Sequence, residues 1–197
     1  MISKRHTRHA VLFLLPFTLA LLPSGALASA GAVHVFLGQK FLDEDDWEPI
    51  ENQFELGIDA ALGGDDWPVW INVGLFGSNA EDDLTVDEEV EATTTELTLG
   101  INKTWTGQQF HPYVAGGLAF VNTEVEFRDD FGSVEEDDSA VGLYLQGGGY
   151  WRLGSSFNLG GMLRFTAADV DVFGEDFSGG GVHLGLTLGW GWPKRRY

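Results

Sequence analysis

Gly181-Val182-His183-Leu184-Gly185-Leu186-Thr187-Leu188-Gly189-Trp190-Gly191-Trp192 alternates from end to end. Its even positions are all apolar and finish in two indoles; its odd positions are glycine, histidine or threonine. A period of two places these sets on opposite faces of a β-strand. The apolar face carries no charge, and the other face lacks the bulk to be half of a sandwich core. Eleven residues rise about 36 Å along a strand, or about 27 Å across a bilayer at a tilt of ~40°. Those proportions are those of a barrel strand that crosses a membrane, with the tryptophans at the headgroup boundary.

Working outward, seven further strands emerge: Ala32 to Leu42, Gln53 to Leu62, Val69 to Ser78, Thr93 to Trp105, Pro112 to Phe127, Ala140 to Arg152 and Phe157 to Ala168. Most alternate cleanly; Phe54, Leu56, Ile58, Ala60 and Leu62 oppose Glu55, Gly57, Asp59 and Ala61. In the fifth, the apolar phase shifts between Phe120 and Val125, which predicts a bulge there. The connections after strands one, three, five and seven are long and acidic; those after two, four and six are tight turns such as Gly63-Gly64-Asp65-Asp66. A soluble all-β domain has no reason to sort its loops this way, whereas bacterial barrels have short periplasmic turns and long extracellular loops.

Residues 1–30 read as a secretory signal peptide of the Sec type. Lys4, Arg5 and Arg8 precede the apolar run Ala10 to Leu22, and small-x-small sites predict cleavage near Ala28 or Ala30. Residues 31–192 form the barrel and 193–197 a short basic tail. The 197-residue chain has 27 glycines and no cysteine, which excludes disulfides, thiolate metal sites and a lipoprotein anchor. Its net charge is −19. Without the three basic residues of the leader, eight basic residues face 30 acidic ones, a net of −22. Such a polyanion will not bind nucleic acid through phosphates, and it meets anionic lipopolysaccharide favourably only through divalent cations.

The segments Pro112-Tyr113-Val114-Ala115-Gly116-Gly117-Leu118-Ala119-Phe120 and Leu159-Gly160-Gly161-Met162-Leu163-Arg164-Phe165, with the closing Gly180 to Trp192, resemble the small outer-membrane β-barrels of the OmpA-type membrane-domain superfamily. The resemblance covers roughly residues 31–192 and speaks to architecture. It implies an eight-stranded antiparallel up-and-down transmembrane barrel in the cell outer membrane, inserted by the barrel assembly machinery and monomeric among outer-membrane lipid and lipopolysaccharide. Family members usually end at the aromatic that closes the last strand; here Pro193-Lys194-Arg195-Arg196-Tyr197 follows. No peptidoglycan-binding domain is expected.

The lumen-facing charges are Lys40, Glu55, Asp59, Glu96, Arg152 and Arg164. Buried charges need partners, so these residues are expected to form a plugging network; the alternative is a narrow porin-like pore in which Arg164 exchanges carboxylates such as Glu55 and Glu96. Trp105, Trp151, Trp190 and Trp192 are the expected membrane-interface aromatics. The acidic loops offer Asp43, Asp45, Asp82, Asp83, Glu135 and Asp137 as weak ligands for loosely bound Ca²⁺ or Mg²⁺. None fits an EF-hand, and a solvated, self-repelling face is the plainer reading. No cofactor is expected. Catalysis would need a serine, a histidine base and a carboxylate on the lipid-facing rim. His34 and His183 fall in the lumen phase, His111 falls in a turn, and the Asp169, Asp171 and Ser178 region has no histidine facing it. The sequence therefore predicts no enzyme but a structural or surface-interaction barrel, with a narrow channel, or cation or extracellular-partner binding by the loops, as alternatives.

Overall fold

The computed structural model describes residues 30–43, 47, 49–64, 67–85, 88–105, 109–129, 132–172 and 175–192. The expected leader, all but its last residue, and the basic tail lie outside them. Among the described residues ten strands form: β1 (Ala30–Phe41), β2 (Asn52–Gly63), β3 (Trp70–Thr85), β4 (Glu88–Thr104), β5 (Phe110–Asp129), β6 (Gly132–Leu153), β7 (Phe157–Ala167), β8 (Asp169–Val172), β9 (Glu175–Ser178) and β10 (Gly181–Trp192). Eight close into an antiparallel barrel in the order β1-β10-β7-β6-β5-β4-β3-β2, while β8 and β9 make a separate hairpin. The register fixes the barrel's shape. From Leu37 it passes through Leu56, Gly77 and Thr95 to Asn122 on β5. The other way it passes through Leu186, Gly161 and Gly149 to Pro112 on the same strand, ten residues from Asn122. A stagger of ten over eight strands sets a tilt of about 40° and a backbone radius of about 8 Å, just wide enough for side chains to fill.

Alternation decides the two faces. Val35, Leu37, Leu56, Leu97, Leu99, Leu143, Leu145, Leu184, Leu186 and Leu188 are exposed on the outside, while Phe36, Lys40, Glu55, Phe76, Glu96, Arg164 and His183 are buried inside. On β10 the outward row from Val182 to Trp192 makes a band about 27 Å tall at that tilt. No helix among the described residues is long and apolar enough to cross a membrane, so the strands are what present this belt. Inside, Phe36 and Phe76 meet edge to face at 5.8 Å. Gly57 and Gly74 make the room: a Cβ on either would collide with the Phe76 ring.

Three expectations are corrected. The acidic stretches Asn79 to Glu91 and Arg128 to Ser139 are not loops over most of their length. Ala80 pairs with Ala92 and Glu81 with Glu91, and Val125 pairs with Glu136. These ladders persist because their inward positions, Val90, Ala92 and Val125, are apolar and buried together. The bulge expected between Phe120 and Val125 is absent, and β5 pairs without a break with β4 and β6 through those residues. The apolar phase shifts because the inside of the barrel itself becomes apolar at that level. His111 is no turn residue but lies on β5, buried and stacked on Tyr150 at 5.1 Å.

Candidate functional site: the lumen and its cap

The middle of the lumen is a charge cluster. Arg164 Nη2 donates to Glu55 Oε1 at 2.8 Å and lies 3.2 Å from Glu96 Oε2, and Lys40 Nζ lies 2.9 Å from Glu96 Oε1. Each of these pairs joins strands three places apart around the eight-strand ring, so each spans the lumen. All four side chains are at most 2% exposed. Two permanent cations thus face two carboxylates, the balance that burial in a low-dielectric interior requires. The Arg164 guanidinium also lies 3.6 Å from the centre of the Phe76 ring, a short cation–π stack. His183 joins the cluster, with Nδ1 2.9 Å from both Glu55 Oε2 and Arg164 Nη2 and Nε2 3.4 Å from Glu96 Oε1. One ring nitrogen cannot donate to Glu55 and accept from Arg164 at once, so the tautomer selects one bond.

Of the six expected lumen charges, Lys40, Glu55, Glu96 and Arg164 come together. Asp59 stands apart: Asn72 Nδ2 donates to it at 2.9 Å, and Tyr144 Oη donates to Asn72 Oδ1 at 2.8 Å from across the barrel. Arg152 lies at the turn end, half-buried, donating to Asn158 Oδ1 at 3.3 Å, with its guanidinium 5.9 Å from the Tyr150 ring centre. His34 lies 3.2 Å from Asn158 Nδ2. The three histidines of the barrel are therefore buried in lumen packing rather than set on a lipid-facing rim.

Above the charge cluster the lumen is capped. Leu42, Trp47, Ile50, Val90, Ala92, Val125 and Val170 form one buried apolar cluster across the end that carries the long hairpins. After β1, Trp47 N–H donates to the Asp43 carbonyl at 3.0 Å, and Ile50 N–H donates to the Trp47 carbonyl at 2.6 Å. Trp47 Nε1 then donates to the Ser178 carbonyl and Lys40 Nζ to the Gly179 carbonyl, each at 2.9 Å. Two bonds thereby pin the β8–β9 hairpin to β1 and its loop. Sequence reasoning missed this cap because an indole inside an acidic run, Asp43 to Glu48, resembles a solvated loop.

The other six of the seven tryptophans, Trp67, Trp70, Trp105, Trp151, Trp190 and Trp192, lie at the short-turn end. Phe110 packs on Trp151 at 4.8 Å and Phe157 on Trp190 at 5.5 Å. The acidic hairpin strands extend at the opposite end. Glu81, Glu91, Glu126 and Glu135 stand side by side in register across β3, β4, β5 and β6. Among the proposed cation ligands, Asp43 follows β1, Asp82 and Asp83 lie on β3, and Glu135 and Asp137 on β6; Asp45 is outside the described residues. No group of three or more histidine, aspartate or glutamate side chains is placed to hold a metal among the described residues.

No protein-family profile and no curated protein matches the chain. Solved structures do. Ail, the attachment invasion locus protein of Yersinia pestis, superposes at TM-score 0.58 and 14% identity, covering 83% of this chain and 97% of Ail, in a complex with the heparin analogue sucrose octasulfate. Neisserial surface protein A matches at TM-score 0.52 and 12% identity over 86% of this chain and 99% of its own. A major outer membrane protein of Thermus thermophilus matches at 0.52 and 12% over 85% and 99%. The chain has the fold of the small eight-stranded outer-membrane barrels.

Proposed function

We propose that the chain is an outer-membrane barrel that acts from its outer surface and not through its lumen. The observation that carries this reading is the double closure of the interior, by the lumen-spanning ion pairs of Lys40, Glu55, Glu96 and Arg164 and by the apolar cap around Trp47. The outward apolar belt faces lipid, the tryptophan-rich turn end faces the periplasm, and the long hairpins stand outside the cell. The protein is a monomer without catalytic machinery, and lipopolysaccharide is its neighbour. Because Glu81, Glu91 and Glu126 present negative charge to anionic headgroups, Ca²⁺ or Mg²⁺ bridges the two. The same charge predicts that these hairpins take no polysulfate, although Ail is crystallised in complex with one.

The absence of cysteine makes the test clean. A single cysteine is placed in intact cells at Ser139, on the hairpin part of β6, or at Ser155, in the β6–β7 turn. A membrane-impermeant maleimide is expected to label S139C in whole cells and S155C only after the outer membrane is permeabilised. Labelling of S155C first, or of neither site in a folded protein, rejects the reading. A second reading, a narrow gated pore, draws on Arg164 Nη2 lying within 3.2 Å of both Glu55 and Glu96, which a swing between partners would need. That pore would also require the cap to open.

A further inference from the structure

We propose that the outer wall beside Lys103 seats the phosphate of an anionic phospholipid at the turn end of the apolar belt. Alternation puts Lys103 in the outward row of β4, between Ile101 and Trp105, and all three are exposed. Among the described residues it is the one charged side chain facing outward between the short turns and the acidic hairpin extensions. Lys40, Arg152 and Arg164 take inward positions, and Lys40 and Arg164 are paired inside the lumen. A charge in a lipid-facing row is costly unless its head reaches the interface. Lys103 Nζ donates at 2.7 Å to the carbonyl of Pro68, in the connection from β2 to β3. The ammonium therefore stands at the level of the turns.

The surroundings commit the occupant. Trp67 and Trp105, both exposed, belong to the tryptophan-rich end, and indoles at a membrane surface sit at headgroup depth. An ammonium carries three N–H donors. Among the described residues the Pro68 carbonyl is the one polar partner of Lys103, which leaves two donors for the membrane. The strongest acceptors at that depth are phosphate oxygens. A zwitterionic headgroup brings its own cation to its phosphate. An anionic phosphodiester brings none, so it meets Lys103 with a full charge. Lys103 lies nearer the middle of the belt than Trp105, which favours a lipid over a soluble acidic polymer. The chain as a whole, at a net charge of −19, repels anions. Its hairpin carboxylates stand across the belt, beyond the ~10 Å over which exposed charges act in 0.1 M salt. Enrichment of anionic lipid at Lys103 is therefore a local effect.

The inference rests on the belt facing lipid, and the test separates the two. The protein is reconstituted in phosphatidylcholine vesicles that contain a minor share of phosphatidylglycerol, with either lipid brominated in its acyl chains. Quenching of Trp105, assigned by difference from W105F, reports the lipid beside Lys103. Phosphatidylglycerol is expected to bind there about fivefold more tightly than phosphatidylcholine, the effect of one cation near an anionic lipid. K103Q should bring that ratio to one, and K103R should keep it. The basic tail follows β10, four places round the ring from β4, so K194Q/R195Q/R196Q should leave the ratio unchanged. Equal quenching by both lipids in the native protein overturns the site. A ratio that survives K103Q, or is lost with the tail charges, overturns its assignment to Lys103. A ratio that appears only in D65N/D66N overturns the open ammonium, because the acids of the β2–β3 turn then hold it. If neither lipid quenches the outward tryptophans of the folded, heat-modifiable protein, the membrane reading itself has failed.

Discussion

Replacing Arg164 by methionine tests whether the lumen charges are structural. Methionine keeps much of the volume and removes the charge. Arg164 is fully buried, donates to Glu55 at 2.8 Å, sits 3.2 Å from Glu96 and stacks 3.6 Å from the centre of Phe76. Without it, two buried carboxylates share one permanent cation, Lys40. Breaking a buried pair by removing one partner costs about 3–5 kcal/mol, and loss of a desolvated cation–π contact adds up to about 2 kcal/mol. R164M should therefore lose about 4 kcal/mol, roughly a thousandfold in the unfolding equilibrium. The double variant R164M/E55Q removes one charge of each sign and restores the balance between Lys40 and Glu96. It should recover at least about half the loss, as replacing both partners of a buried pair often does. The assay is urea unfolding in lipid vesicles, followed by tryptophan emission, with all four members of the cycle. A loss in R164M under about 1 kcal/mol, or a double variant no more stable than R164M, would refute the argument that these ions hold one another in place.

Other expectations follow from the cap, the acidic ladders and the packing of the lumen. W47A should cost about 3–5 kcal/mol of local packing; the barrel should remain heat-modifiable on gels while proteinase K gains a cut between residues 42 and 51. The glutamate row Glu81, Glu91, Glu126 and Glu135 places like charges on neighbouring strands, which destabilises sheets and is screened by salt. Amide exchange near the tips of the β3–β4 and β5–β6 hairpins should slow by severalfold between 0.01 M and 0.5 M NaCl, with exchange at mid-belt amides unchanged. G57V sets a branched side chain against the Phe76 ring and should cost about 1–3 kcal/mol or more by overpacking, read as a lower urea midpoint.

The sequence carried the barrel plainly because alternation is a local signal. Val182 to Trp192 shows its two faces without reference to any other strand, and the six lumen charges were legible as inward-facing for the same reason. What local alternation does not hold is register. Nothing in Arg164 says that Glu55 and Glu96 stand opposite while Asp59 stands lower and Arg152 at the mouth; that follows from a stagger of ten residues accumulated around eight strands. His183 was read as facing the lumen but not as a member of the charge cluster, for the same reason. The hairpin extensions were misread because glutamate and aspartate are poor strand formers. Their signal was present in the inward series Val90, Ala92 and Thr94 and Val121, Thr123 and Val125, masked by carboxylates on the outward positions. Trp47 shows the reverse case, in which composition marked a loop and a single indole determined where that loop went.

The closed lumen is tested most directly by planar-bilayer conductance of the refolded barrel, with heat-modifiable gel mobility as proof of folding. The folded protein should give no discrete openings in 1 M KCl, in the native form and in R164M/E55Q, because the apolar cap around Trp47 remains in both. Steady unitary openings in the native protein, altered in size or duration by R164M, would contradict it and establish the gated pore.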